Sequence, residues 1–166
     1  VETLPEVVST GVDADFLWRA PLDGLTFQGG VTYADTTISQ FTASDLLNPG
    51  RFNSLRRLPG ATLSFAPEWS GTVAATYEQP VADDLFFRAN LSAKYSSEYN
   101  TGSDLHPSKV QEAFTVVNGR IGIGDIDEVW TLELWAQNLF DQDFIQVGFN
   151  GPFQIDENND SVSTYN

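Results

Sequence analysis

Between Asp84 and Ser97 apolar and polar residues alternate almost one for one. Leu85, Phe87, Ala89, Leu91, Ala93 and Tyr95 interleave with Phe86, Arg88, Asn90, Ser92, Lys94 and Ser96. Successive side chains of a strand point to opposite faces, so this pattern predicts a strand with one oily and one polar face. The same period recurs five times. Val12, Ala14, Phe16 and Trp18 oppose Asp13, Asp15 and Arg19, and Leu25, Phe27, Gly29, Val31 and Tyr33 oppose Thr26, Gln28, Gly30 and Thr32. Trp69, Val73, Ala75 and Tyr77 oppose Ser70, Thr72, Thr76 and Glu78. Thr115, Val117, Ile121 and Ile123 oppose Asn118 and Arg120, with Phe114 and Val116 blurring that polar face. Last, Leu132 and Leu134 oppose Thr131, Glu133 and Trp135. Helical spacing fits none of these segments, and the chain reads as all-β.

The connections carry a second signal. Residues 20–24, 81–84 and 124–128 make short turns, whereas about 41–62, 98–112 and everything from 141 onward make long loops. Short and long alternate strictly, which places every short turn at one end of the strands. Membrane barrels have this asymmetry, with tight periplasmic turns and extended outer loops. Aromatic residues fall near both ends: Trp18, Tyr77, Phe87 and Trp130 beside short turns, Trp69, Tyr95 and Phe140 near long loops. Amphipathic rings favour the headgroup level of a bilayer.

The totals narrow the partners. A net charge of −15, with eight Lys and Arg against 23 Asp and Glu, excludes nucleic acid, whose phosphates need clustered cations. Cysteine is absent, so no disulfide framework or thiolate metal site is available. The chain opens Val1-Glu2-Thr3-Leu4-Pro5 without a signal-peptide pattern, and no run approaches the ~18 apolar residues of a spanning helix. Strands need no such run, because only every second residue faces lipid.

Candidate chemistry is sparse. His106 is the only histidine, and a nucleophilic reading would pair it with Ser108, two residues away. Beside Pro107 in a polar loop the pairing is ordinary, and one histidine without cysteine serves zinc no better. Asp13 and Asp15 share a strand face in the manner of a glycosidase pair, but charged residues on the inner face of a barrel are expected anyway. Asp156-Glu157-Asn158-Asn159-Asp160-Ser161 imitates the start of a calcium loop, with Ser161 where glycine is required. A solvated acidic loop is the plainer reading. The first long loop is locally positive through Arg51, Arg56 and Arg57, and with His106 these are the candidates for meeting a solute or lipopolysaccharide at the outer face. No residue is expected to be catalytic, and no cofactor or metal is expected.

The sixth strand and the turn beyond it resemble a known family. Trp130-Thr131-Leu132-Glu133-Leu134-Trp135-Ala136-Gln137-Asn138-Leu139-Phe140-Asp141 is similar to the penultimate-strand region of TonB-dependent receptors, which ends in an Asn-Leu-Phe/Thr-Asp signature. Ala66-Pro67-Glu68-Trp69, Phe114-Thr115-Val116-Val117-Asn118-Gly119-Arg120-Ile121-Gly122 and Gly11-Val12-Asp13-Ala14-Asp15-Phe16 resemble further strand motifs of that family, in its order, across about residues 8–149. The resemblance implies an outer-membrane barrel of about 22 strands closed by a plug. It implies import of a scarce solute such as a siderophore, vitamin or saccharide, energised by the TonB complex through that plug. Asn138, Leu139, Phe140 and Asp141 would then have a structural task at the barrel rim.

The expectation is therefore an antiparallel, curved open sheet of about six transmembrane strands. Residues 1–166 would form a C-terminal part of a receptor barrel in a Gram-negative outer membrane, with plug and closing strand absent. Its surroundings would be outer-membrane lipid and lipopolysaccharide. The rival readings are a small passive porin-like barrel, an outer-membrane enzyme, and a soluble β-sandwich that binds carbohydrate. A sandwich would bury Leu85, Phe87 and Leu91 beneath a second sheet; a barrel wall would leave them facing outward.

Overall fold

The computed structural model describes residues 6–40, 58, 60–127, 129–149 and 163–165. Six strands form one sheet: β1 (Glu6–Arg19), β2 (Leu25–Gln40), β3 (Trp69–Ala82), β4 (Leu85–Ser96), β7 (Phe114–Asp125) and β8 (Thr131–Ala136). They lie side by side in chain order, each antiparallel to its neighbour. Two further pairs lie outside this sheet: β5 (Tyr99–Asn100) with β6 (Val110–Gln111), and β9 (Val147–Phe149) with β10 (Ser163–Tyr165).

Residues directly opposite in an antiparallel pair share a face, so the register tests the alternation. Trp18 lies opposite Phe27, Phe27 opposite Ala75, Ala75 opposite Leu91, and Leu91 opposite Gly119, which faces Ala136. One row further from the long loops, Leu25, Tyr77, Ala89, Ile121 and Leu134 align across five strands. All six oily faces thus fall on one side. A one-residue slip anywhere would have thrown a strand's apolar set to the other side.

That side is not covered. Val12 is 70% exposed, Leu91 55% and Leu134 72%, and no second sheet lies over them among the described residues. Among the described residues the buried hydrophobics are Ile38 and Leu58, and both belong to the long-loop end rather than to a core beneath the sheet. The sandwich reading fails here, because its two layers would have hidden these residues. A face so broad and so apolar needs a nonaqueous neighbour.

β2 extends seven residues beyond Tyr33, where the alternation predicts its end. The returning chain holds it: Ala34 and Ile38 donate to the carbonyls of Glu68 and Ala61, and Leu63 donates back to Thr36. The first long connection runs to residue 68 as a result. At the opposite end the first short turn is fastened to the end of β3 and the third to the second. Glu78 N donates to Gly24 O, the Gln79 side chain donates to Asp23 O, and Ile126 N donates to Asp84 O. Aromatic pairs flank both ends, Trp18 stacked on Phe27 and Tyr77 against Phe87 near the short turns, Tyr33 against Trp69 near the long loops.

Candidate functional site

The polar face is lined by side chains that satisfy each other across strands. Thr32 donates to Asp13 at 2.6 Å, Ser9 and Thr36 pair hydroxyls at 2.8 Å, and Asn90 donates to Thr76 at 2.8 Å. Near the short turns the lining becomes charged. Glu78 and Arg88, opposite each other in register, form an ion pair, and the Arg88 guanidinium also lies over the Phe86 ring. Arg120 reaches Glu133 at 3.4 Å. These pairs are one-third to one-half exposed, so their worth in water is small, ~0–1 kcal/mol each. Trp135 stands 63% exposed on this same face, the one large aromatic that interrupts its polarity in β8. Asp13 and Asp15 are both exposed and on one face; Asp13 is engaged by Thr32, which suits a hydrated lining.

At the other end the loop between β4 and β7 is folded on itself. β5 and β6 bring residues 99–100 beside 110–111, and a 3-10 turn, Pro107–Lys109, connects them. Lys109 is 2% exposed, and its Nζ donates to both carboxylate oxygens of Asp104 at 2.9 and 2.8 Å. Burial pushes the Asp104 carboxyl up, but the Lys109 hydrogen bond and charge, with the His106 backbone N–H, outweigh it and hold it below the ordinary 3.8. Thr101, fully buried, donates N–H and hydroxyl to Lys109 O at 2.9 and 2.7 Å. Asn100 closes the loop by donating to His106 O and accepting from Gly102 N.

This loop ties in the other two long segments. Phe65, in the return to β3, donates to Asn100 O, and Gly148 in β9 donates to Thr101 O. A side chain at Gly148 would meet Lys109 Cγ and Thr101 Oγ1 at 2.8 Å, so only glycine lets β9 lie this close. Ile145 N donates to Gln111 Oε1. A row of rings runs along the junction: Phe65 near Tyr99, Tyr99 near Phe114, and Phe114 stacked on Phe144 at 4.9 Å and 3°.

Of the residues singled out from sequence, Arg51, Arg56 and Arg57 lie outside the described residues, as does the 156–161 motif. His106 is 6% exposed and faces into its own loop. Its Nδ1 accepts from Ser108 N and lies 2.8 Å from Ser108 Oγ, which caps the 3-10 turn. Asn138 to Asp141 form a tight turn: Asn138 and Asp141 both have left-handed φ, 50° and 52°. Asn138 Oδ1 accepts from Gln142 N, its Nδ2 donates to Gln142 O, and Asp141 N donates to Asn138 O. Asn118 receives Asn138 N, and Leu139 N donates to Val117 O, so the turn sits well inside the span of β7, which continues to Phe114. Sequence reasoning passed over Asp104, Lys109, Thr101 and Gln111. Their only advance signal was an Asp and a Lys five apart in a Gly- and Asn-containing loop. Among the described residues no group of His, Cys, Asp and Glu is placed to hold a metal.

A meandering antiparallel sheet, oily on one face and hydrogen-bonded on the other, with short turns at one end and interlocked long loops at the other, has the organisation of a membrane β-barrel sheet. The model described as "TonB dependent receptor-like, beta-barrel" matches residues 1–139, and the chain belongs to that family. Among solved structures it is similar to the ferric yersiniabactin uptake receptor FyuA from Yersinia pestis. That match has a TM-score of 0.69 at 14% identity and covers 95% of this chain. The chain spans 21% of that receptor's length.

Proposed function

We propose that this chain is wall of an energy-coupled importer in the outer membrane of a Gram-negative bacterium. In this reading it carries a scarce solute (siderophore, vitamin or saccharide) inward, driven by the TonB complex. The observation that carries the reading is the in-register apolar face of six strands with no second sheet over it among the described residues, backed by a polar face rich in hydrogen-bonding side chains. The family supports coupling to TonB through a plug. The likeness to FyuA, a ferric yersiniabactin uptake receptor, supports uptake of a solute of that kind.

Among the described residues, both outermost strands of the sheet, β1 and β8, carry one unpaired backbone edge. In hydrocarbon each unpaired group costs several kcal/mol, so the working wall needs strands on both flanks. In that setting the interlocked loops stand at the outer mouth, and the polar face lines the conduit. No residue takes a catalytic role.

The test is uptake by cells expressing the intact receptor that carries this segment. Candidate solutes should enter only while the TonB complex and the proton gradient are intact. Equal uptake in cells lacking TonB would replace the importer with a passive pore. The chain's lack of cysteine supplies the topological control. Single cysteines at Asp13 or Asn90 should react with a water-soluble maleimide, and those at Val12 or Leu91 should be protected in the bilayer.

A further inference from the structure

The outward face is not smooth. In its short-turn half lies a depression of about 410 Å³. Ala75, Ala89 and Gly119 make its floor, and Tyr77, Leu91 and Leu139 stand around it. Leu139 leans over Gly119 closely enough that a side chain there would meet its Cδ1 at 3.1 Å. Its register position fixes its height: Ala75 and Gly119 lie in one row across the sheet, Tyr77 and Ala89 in the next row toward the short turns. Leu25, the first residue of β2, lines its foot.

A hollow left empty in a bilayer forfeits dispersion contacts along its whole lining. Lipid tails are as apolar as leucine, so packing and not desolvation decides what fills it. The head of any lipid seated there meets an unusual rim. The three short turns and their ends bring Asp23, Asp83, Asp84, Asp125 and Asp127, and no Lys or Arg lies within 20–24, 81–84 or 124–129. Hydrogen bonds fasten the Asp23-Gly24 turn to β3 and the 124–128 turn to Asp84, which holds these acidic turns side by side. The cations around it, Arg19, Arg88 and Arg120, lie opposite Thr26, Glu78 and Asn90 on the polar face and so turn away from the lipid side. Anionic headgroups are repelled by such a rim, and an ammonium headgroup is drawn to it.

We propose that this hollow is a phospholipid site on the periplasmic leaflet. One acyl chain lies over Ala75, Ala89 and Gly119, and an ethanolamine headgroup meets the Asp23, Asp83 and Asp84 turns. This rests on the membrane reading above and adds a ligand to the outside of the wall, distinct from anything carried through it.

The experiment places the intact receptor in nanodiscs containing trace phosphatidylethanolamine or phosphatidylglycerol with a photoreactive acyl chain, and maps crosslinked peptides. Crosslinks should peak in β3, β4 and β7 around Ala75, Ala89 and Gly119, with ethanolamine favoured about fivefold, or ~1 kcal/mol for one charge at a membrane surface. Filling the hollow with Ala75→Phe and Ala89→Phe should remove the peak, with heat-modifiable gel migration checking the fold. Independently, Asp23→Asn with Asp83→Asn and Asp84→Asn should erase the headgroup preference while leaving the peak. Crosslinks spread evenly over the outward face, or a preference untouched by the three Asn substitutions, would overturn the site and leave the importer standing. No crosslinks anywhere on that face would defeat the membrane reading itself.

Discussion

Lys109 Nζ sits 2.8 and 2.9 Å from the two carboxylate oxygens of Asp104, with the lysine withdrawn almost wholly from solvent. A charge so enclosed is tolerated because its partner is fixed on the same loop, five residues away. Losing one member leaves the other uncompensated, which in buried pairs costs about 3–5 kcal/mol. Lys109→Met should therefore loosen residues 99–111 by roughly 3 kcal/mol, whereas Asp104→Leu with Lys109→Met should cost clearly less. Amide hydrogen exchange at Thr101 and Gly148, whose N–H groups are held inside this junction, measures the local loss. Unchanged exchange in Lys109→Met would show that the pair does not hold the loop.

Acid should reach the same junction from another direction. The Asp104 carboxyl ionises below its ordinary 3.8 in the folded loop. A carboxyl with a depressed folded pKa contributes stability that is fully present above its unfolded value and fades as pH falls through the folded one. Exchange at Gly148 is thus expected to be level from pH 7 to about pH 5 and, after correction for intrinsic rates, to accelerate below about pH 4. In Asp104→Asn that acid step should vanish. A step that persists in the Asn variant would assign it to another carboxyl.

The two faces of β4 should respond in opposite ways to the same charge. Leu91→Lys puts an ammonium on the outward face near mid-strand, where barrel walls lose about 2–4 kcal/mol to a buried lysine. Asn90→Lys, one residue earlier, faces the polar side and should cost less than about 1 kcal/mol. Denaturant titration of the receptor folded into liposomes gives both values. Equal losses would contradict the assignment of faces.

Asn138 combines a left-handed backbone with two side-chain hydrogen bonds to Gln142. Alanine loses both bonds and pays for φ 50°, a sum of roughly 2 kcal/mol. Glycine relieves the backbone strain and should recover about half of that. Exchange of the Leu139 amide, bonded to Val117 O, reads the turn directly.

How far the sequence carried depended on the kind of physics involved. The six strands were legible because a sheet with one oily and one polar face imposes a strict period of two, visible at Leu85 to Tyr95 without any knowledge of partners. The shared facing of Phe27, Ala75 and Leu91 was legible too, but their register was not, since a two-residue slip keeps every side chain on its face. The extension of β2 past Tyr33 was not legible, because it is paired beyond the oily span and depends on residues 61–68 returning to it. The loop junction was also hidden. Nothing local distinguishes Lys109 from any polar-loop lysine, and its burial arises only when Thr101, Asp104 and Gly148 converge from two loops. His106 drew notice as a lone histidine and proves to serve the turn that holds Lys109.

The turn at Asn138 gives the wall an uneven height. β8 leaves the sheet after six residues while β7 runs for twelve, so the upper half of β7 is flanked by the outgoing chain through Leu139 and the Phe114–Phe144 stack. Those two rings are therefore one of several fastenings, with the Leu139–Val117 and Asn138–Asn118 hydrogen bonds, that hold the outgoing chain against a stretch of β7 with no strand beside it among the described residues.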